Sequence, residues 1–316
     1  MISRSQTLEE TAPSAPPARL GPVAAAALAV ERRRLADFVE LTKPRVVVMV
    51  LVTTFVGFYL GSPGVPDYAR LVHALLGTML AAGGTLALNQ FLEREVDGRM
   101  RRTRRRPLPD GRLAPAEALV FGALLTLAGL TYLLLAVDPR CALVTGLIVV
   151  LYLGAYTPLK LVTPLALVVG AVPGALPPVT GWVGARGEVG VGAAVLFAIL
   201  FLWQLPHTLA IARLHRDDYA RAGIRVLPVV DPDGASTERQ IVAGCLALLA
   251  VGLLPTLVGL AGGVYFVGAF LLGLTFLACG MAQALAPSVT SARRLLLASV
   301  AYLPLLLVLM ALDKAG

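Results

Sequence analysis

Asn89, Glu93 and Asp97 recur at i, i+4 and i+8. If the chain is helical there, the three side chains lie along one stripe that drifts by about 40° per step. Two carboxylates and an amide on one face make a hard-oxygen set, of the kind that takes Mg2+ through one or two carboxylates together with the oxygens of a phosphorylated substrate. Just downstream, Arg99, Arg101, Arg102, Arg104, Arg105 and Arg106 crowd into eight positions. Guanidinium forks bind phosphate oxygens in pairs, so the whole stretch suggests a diphosphate held by metal and arginine. A solvated loop whose arginines only set topology is the plain alternative. It explains the arginines better than the acids, which cost energy if even partly buried at the end of an apolar span.

A second polar cluster lies in WQLPHTLAIARLHRDDYARAG, positions 203 to 223. His207, Ile211 and His215 share a stripe at helical spacing, as do Arg213 and Asp217, and Asp218 and Tyr219 follow. Read as one continuing helix, this segment presents a second acidic group to the cavity that the first stripe faces. Two acidic clusters around a shared site would hold a diphosphate through metal.

The elements that must carry these clusters follow from composition. The chain has 316 residues, of which 57% are hydrophobic and 15% charged, with mean hydropathy +0.79. A soluble domain carries roughly 25% charged residues. The apolar residues fall into blocks near the roughly 17–25 residues that cross a bilayer as a helix. Nine spans are expected: 44–60, 71–92, 115–136, 139–156, 164–183, 191–212, 241–260, 263–286 and 295–312. Helices are required because the bilayer core offers the backbone no water, and the roughly ten-residue alternation of a barrel is missing. Pro44 and Pro139 suit helix starts.

Of the 27 Lys and Arg residues, only Arg70, Arg140, Arg186 and Lys314 fall on one side of this arrangement. The positive-inside rule places the other side, with the N-terminus and both acidic motifs, in the cytoplasm, and the C-terminus outside. The net charge of +8 is thereby explained by topology and by anionic membrane lipid, and no nucleic-acid partner is expected. Residues 1–37 read as a disordered or loosely structured cytoplasmic tail, with TAPSAPPARLGP the most biased stretch. The membrane domain would then occupy 38–316. AAAALAV at 24–30 is short and followed by ERRR, so no secretory signal is read. Cys141, Cys245 and Cys279 are isolated, without metal-ligand spacing, and read as small hydrophobes.

The pattern of Asn89, Glu93 and Asp97 followed by Arg102, Thr103, Arg106, Pro107 and Leu108 resembles the first acidic motif of the UbiA superfamily of intramembrane prenyltransferases. LTKPR at 41–45, YTPLK at 156–160, GAVPGALPPVTGW at 170–182 and the run from Pro206–His207 to RDDYARAG are similar to its haem O synthase branch, the protoheme IX farnesyltransferases. The resemblance covers about residues 38–312, with the blocks in the family's order. It departs at Thr208, where an aromatic usually follows the Pro-His pair, at Leu161, which replaces a basic residue, and at Ala166, which replaces a frequent Asn.

The resemblance implies an all-α bundle of nine transmembrane helices around a central cavity. It implies transfer of the farnesyl group of farnesyl diphosphate to the 2-vinyl group of protoheme IX (haem b) with addition of water, giving haem O and diphosphate. Carried over residue by residue, Asn89, Glu93, Asp97, Asp217 and Asp218 would be catalytic, and Asn89, Glu93, Asp97 and Asp218 would hold one or two Mg2+ ions through the diphosphate. Lys43, Arg45, Arg102, Arg106, Tyr156, Lys160 and Arg216 would face the diphosphate. His207, His215 and Tyr219 are the haem-contacting candidates, haem being substrate and not a permanent cofactor. Location in the cell (inner) membrane follows, with haem A synthase as a candidate partner. Two other readings stay open: a UbiA-type enzyme acting on an aromatic or quinone precursor, and a secondary transporter, whose coupling site would lie nearer the midplane between inverted repeats.

Overall fold

The computed structural model describes residues 22–315, and all regular elements among them are helical. In chain order these are α1 (Pro22–Leu41), α2 (Pro44–Gly61), α3 (Tyr68–Gly98), α4 (Pro115–Ala136) and α5 (Pro139–Val150). A π-helical turn (Leu151–Tyr156) joins α5 to the single turn α6 (Thr157–Leu159). Then come α7 (Ala166–Ala175), α8 (Pro177–Arg186), α9 (Val191–Leu214), α10 (Arg216–Arg221) and α11 (Leu227–Val230). The bundle closes with α12 (Ala235–Val251), α13 (Leu254–Leu257), α14 (Gly263–Leu285) and α15 (Val289–Leu312). Among the described residues nine helical stretches are long and apolar enough to cross a membrane.

Several stretches run further than their apolar cores. α3 continues to Gly98, six residues past the expected end at 92, and α12 and α15 begin at Ala235 and Val289, not at 241 and 295. The added turns carry charged and polar side chains, which hydropathy discounts but which hydrated helix ends tolerate. Several helix starts are marked in the sequence. Pro44, Pro115 and Pro139 occupy first-turn positions, and Ser288 accepts from the Ser291 amide at 3.1 Å.

The tail reading needs correction. Residues 1–21 lie outside the described residues, but from Pro22 the chain is helical, so the segment 22–37 is not loose. Its Ala-rich run favours helix, and its end is docked. Leu41 is fully buried, Phe38 packs on Phe121 with ring centroids 5.0 Å apart, and Arg112 ties to Asp37 and, at 3.1 Å, to Glu40.

Small residues set the closest helix approach. A Cβ on Gly181 would stand 1.9 Å from the Thr54 carbonyl oxygen, and one on Gly57 would stand 2.0 Å from that of Pro178. α2 and α8 therefore touch backbone to backbone, the geometry that dispersion forces reward in lipid. The other half of the bundle is filled by large side chains, among them Phe276, Tyr265 and Tyr302. Facing outward are many large apolar residues, such as Leu135, Leu143 and Leu285, as a lipid-solvated surface requires.

Candidate active site

The polar stripe is real and buried. α3 runs unbroken through it, and Asn89 and Asp97 are each 1% exposed and Glu93 7%. Lys43, from the turn between α1 and α2, donates from Nζ to Asn89 Oδ1 at 2.8 Å. Lys160, just beyond α6, forms an ion pair with Glu93. Arg106 Nη1 lies 2.6 Å from Asp97 Oδ2, and Thr103 donates to the Asp97 carbonyl at 2.8 Å. Arg102 donates to the Tyr219 hydroxyl at 2.7 Å, its guanidinium 4.9 Å from that ring's centroid. These residues line one chamber of about 260 Å3. It holds four cationic groups, Lys43, Arg102, Arg106 and Lys160, against two carboxylates, Glu93 and Asp97. The excess positive charge suits an anion richer in charge than either acid.

Lys43 is the one non-glycine residue with positive φ among the described residues, at φ 50° and ψ 66°. It precedes a proline, where an extended backbone is usual. A strained conformation persists only where the surroundings over-determine it. Gln90, beside Asn89, does this: its Nε2 donates to the carbonyls of Glu40 (3.1 Å) and Leu41 (3.0 Å), closing the end of α1. Burial pushes the Lys43 ammonium down to about 8, with the Arg106 cation adding to the effect.

Behind this chamber lies a second, apolar one of about 280 Å3, formed by α2, α3, α5, the π-helical turn, α7, the start of α8 and α9. Tyr152, Tyr156, Leu167 and Thr208 line both chambers and so mark the seam between them. The fifth span breaks at Leu176, between α7 and α8. Pro173, Gly174 and Pro177 around it line the apolar wall. Gly170 gives room to the Tyr156 ring, whose Cδ2 would stand 2.4 Å from a Cβ there. The same GAVPGALPPVTGW stretch thus shapes the cavity at its first half and packs on α2 at its second.

Other expected residues are not brought to this site. Arg45 is exposed and lines neither chamber. His215, Arg216, Asp217 and Asp218 line a separate open cleft with Arg101, Arg213 and Arg221, and Asp218 is paired with Arg221. The cause is local. α9 stops at Leu214, and His215, at φ −115° and ψ 24°, starts a new short helix, so the stripe drawn through Arg213 and Asp217 does not continue. From this short helix it is Tyr219 that reaches the chamber. His207 turns toward α15, its Nδ1 2.7 Å from Ser299 Oγ and its ring stacked on Trp203, and it lines neither chamber. His215 is held to the lower side of its usual value, by burial first and the Arg102 charge second. Tyr152, Gln90 and Thr157 were not singled out from sequence, although Tyr152 stands four residues before Tyr156 and shares its helical face. The departures at Thr208 and Ala166 both fall on the polar chamber's lining, whereas Leu161 is exposed.

Residues 50–310 match the UbiA prenyltransferase family, and the chain belongs to that family. Its curated relatives are more specific. A protoheme IX farnesyltransferase of Solibacter usitatus is 48% identical over 289 residues, covering 89% of this chain and 99% of the relative. One from Koribacter versatilis is 46% identical over 290 residues, covering 89% and 94%. The fold is shared with solved structures at much lower identity. A digeranylgeranylglyceryl phosphate synthase superposes with TM-score 0.75 at 15% identity, covering 89% of this chain and 98% of that one. A UbiA homologue from Archaeoglobus fulgidus bound to GPP and Mg2+ superposes with TM-score 0.60 at 14% identity, covering 87% and 99%.

Proposed function

We propose that this chain transfers the farnesyl group of farnesyl diphosphate to the 2-vinyl group of protoheme IX, with water, giving haem O and diphosphate. The observation that carries this reading is the pair of joined chambers, one cationic at the mouth and one apolar behind it. An allylic diphosphate has the same division, a charged head and an oily tail, with the reactive carbon where they meet. The identity of the relatives supports haem as the acceptor.

The residues fit Mg2+. Asp97 Oδ1 is buried without a hydrogen-bond partner, a costly state that a cation would relieve. Among the described residues no three His, Cys, Asp or Glu side chains gather as a metal centre, so Glu93 and Asp97, with Asn89 beside them, would hold the ion jointly with diphosphate oxygens. Bound there, Mg2+ would help neutralise the charge that builds on the departing diphosphate. Lys43, Arg102, Arg106 and Lys160 do the same from the protein side, and they are held beforehand: Arg106 by its ion pair with Asp97, Lys160 by that with Glu93, Lys43 by its bond to Asn89 and Arg102 by its bond to Tyr219. As the C1–O bond breaks, C1 bonds to the terminal vinyl carbon. Water then adds to the carbon left electron-deficient, and one proton is released. The apolar wall keeps other water from reaching the cation earlier, and fixing vinyl against C1 supplies proximity.

On this reading the basic end faces the cytoplasm, the bilayer is the solvent of both lipophilic substrates, and haem A synthase is a consumer of the product. The test is turnover by purified protein in nanodiscs with haem b, farnesyl diphosphate and Mg2+, followed by chromatography and mass detection. A farnesylated, hydrated haem that is lost under EDTA supports the proposal. Prenylation of an aromatic acceptor in its place would keep the chemistry and overturn the acceptor.

A further inference from the structure

The two chambers meet at four residues, Tyr152, Tyr156, Leu167 and Thr208. A farnesyl diphosphate with its head among the cations and its tail in the apolar chamber has C1 at this seam. There the positive charge appears on ionisation, shared between C1 and C3, in a place that must exclude water. Only the two tyrosines among the four offer an electron-rich ring face to a cation.

Their support is unusual. Both belong to the π-helical turn Leu151–Tyr156, a feature that collects at functional sites. The Tyr152 carbonyl receives the Thr157 amide, as the wide turn requires, and also the Thr157 hydroxyl at 2.8 Å. That hydroxyl in turn accepts from Asn89 Nδ2 at 3.2 Å. A chain of three hydrogen-bonded groups thus connects the acidic stripe to the backbone that carries Tyr152. The rings lie 5.4 Å apart at 31°. Tyr156 sits next to Thr157 and nearer Lys160, on the diphosphate side, and its ring is seated against Gly170. Tyr152 is one turn deeper, with Thr145, Ile148 and Val149 around the apolar chamber.

We infer that Tyr152 is a catalytic residue of the transfer reaction, its ring face meeting the allylic cation as the diphosphate leaves. The inference rests on the transfer reading above. The ground-state substrate carries no positive charge at C1, so the contact acts on kcat and leaves the KM for farnesyl diphosphate nearly unchanged.

The test replaces Tyr152 with Phe as reference and then, by nonsense suppression, with mono-, di- and trifluorophenylalanine. These keep the ring's shape while draining its face of negative charge. The expected result is a stepwise fall in kcat along the series, reaching about ten-fold, the size a desolvated cation–π contact supplies. Tyr152→Leu should lose at least as much and release a larger share of farnesol, from water capturing the unshielded cation. A kcat that ignores fluorination overturns the assignment even if Tyr152→Leu is poorly active, since the fluorinated rings preserve packing. Absence of any prenylated product, of haem or of an aromatic acceptor, from the unaltered protein overturns the transfer reading and takes this assignment with it.

Discussion

Asp97 has one carboxylate oxygen paired with Arg106 and the other buried without a partner. Asp97→Asn keeps the shape and removes the charge. Product formation should fall by about a hundred-fold or more, as when a preorganised charge-stabilising group is lost, and the Mg2+ dependence of the initial rate should move to higher concentrations. Lys43 gives a two-sided prediction. Lys43→Gly accepts φ 50° without strain, so thermal unfolding should shift upward by the equivalent of about 1 kcal/mol. The same variant loses the ammonium, so affinity for a non-hydrolysable farnesyl diphosphate analogue should drop, by isothermal titration. A variant that neither gains stability nor loses affinity would contradict the role drawn for that turn. At this scale the first motif was legible because three oxygen ligands at a spacing of four need only an intact helix. The second was not, because the break at His215 follows no proline or glycine, and one turn of the backbone decides whether Asp217 or Tyr219 faces the chamber.

Among elements, the fifth span does two tasks in one sequence. Pro173→Ala with Pro177→Ala should let α7 and α8 straighten toward one helix and reshape the apolar wall. Haem product should decline while affinity for the diphosphate analogue, set in the other chamber, holds. Equal loss of both would assign the prolines to stability alone. Gly181→Val tests the second task. Its side chain would meet the Thr54 backbone oxygen, which cannot step aside as a flexible side chain does, so a loss of about 3 kcal/mol or more is expected, seen as a lower unfolding midpoint in detergent. The nine spans themselves were legible from apolar length, and the fifth span's break from its prolines. The extended ends of α3, α12 and α15, the docking of α1 and the π-helical turn were not. The first two depend on charged residues finding partners, as Asp37 finds Arg112. The third is a one-residue shift of hydrogen bonding inside an apolar run, which leaves no mark in composition.

For the whole molecule, the proposed reading puts the chamber mouth on the cytoplasmic side, the expectation drawn from the distribution of basic residues. Single cysteines check this in sealed cells after the native thiols are removed. Val65→Cys, at an exposed position between α2 and α3, should react with an impermeant maleimide from outside. Arg104→Cys should react only after permeabilisation. The reverse pattern would invert the topology and remove the argument from positive charge.

The seam between the chambers also has a consequence for how turnover ends. On the proposed reading, the two products belong to different solvents: diphosphate dissolves in water at the mouth, whereas a haem that has gained a farnesyl chain dissolves in lipid. Each departs into a phase that barely holds the other. The surrounding bilayer then works as a sink for one product, so the same protein should slow progressively in a small detergent micelle, where its lipophilic product accumulates, and keep a steady rate in extended vesicles.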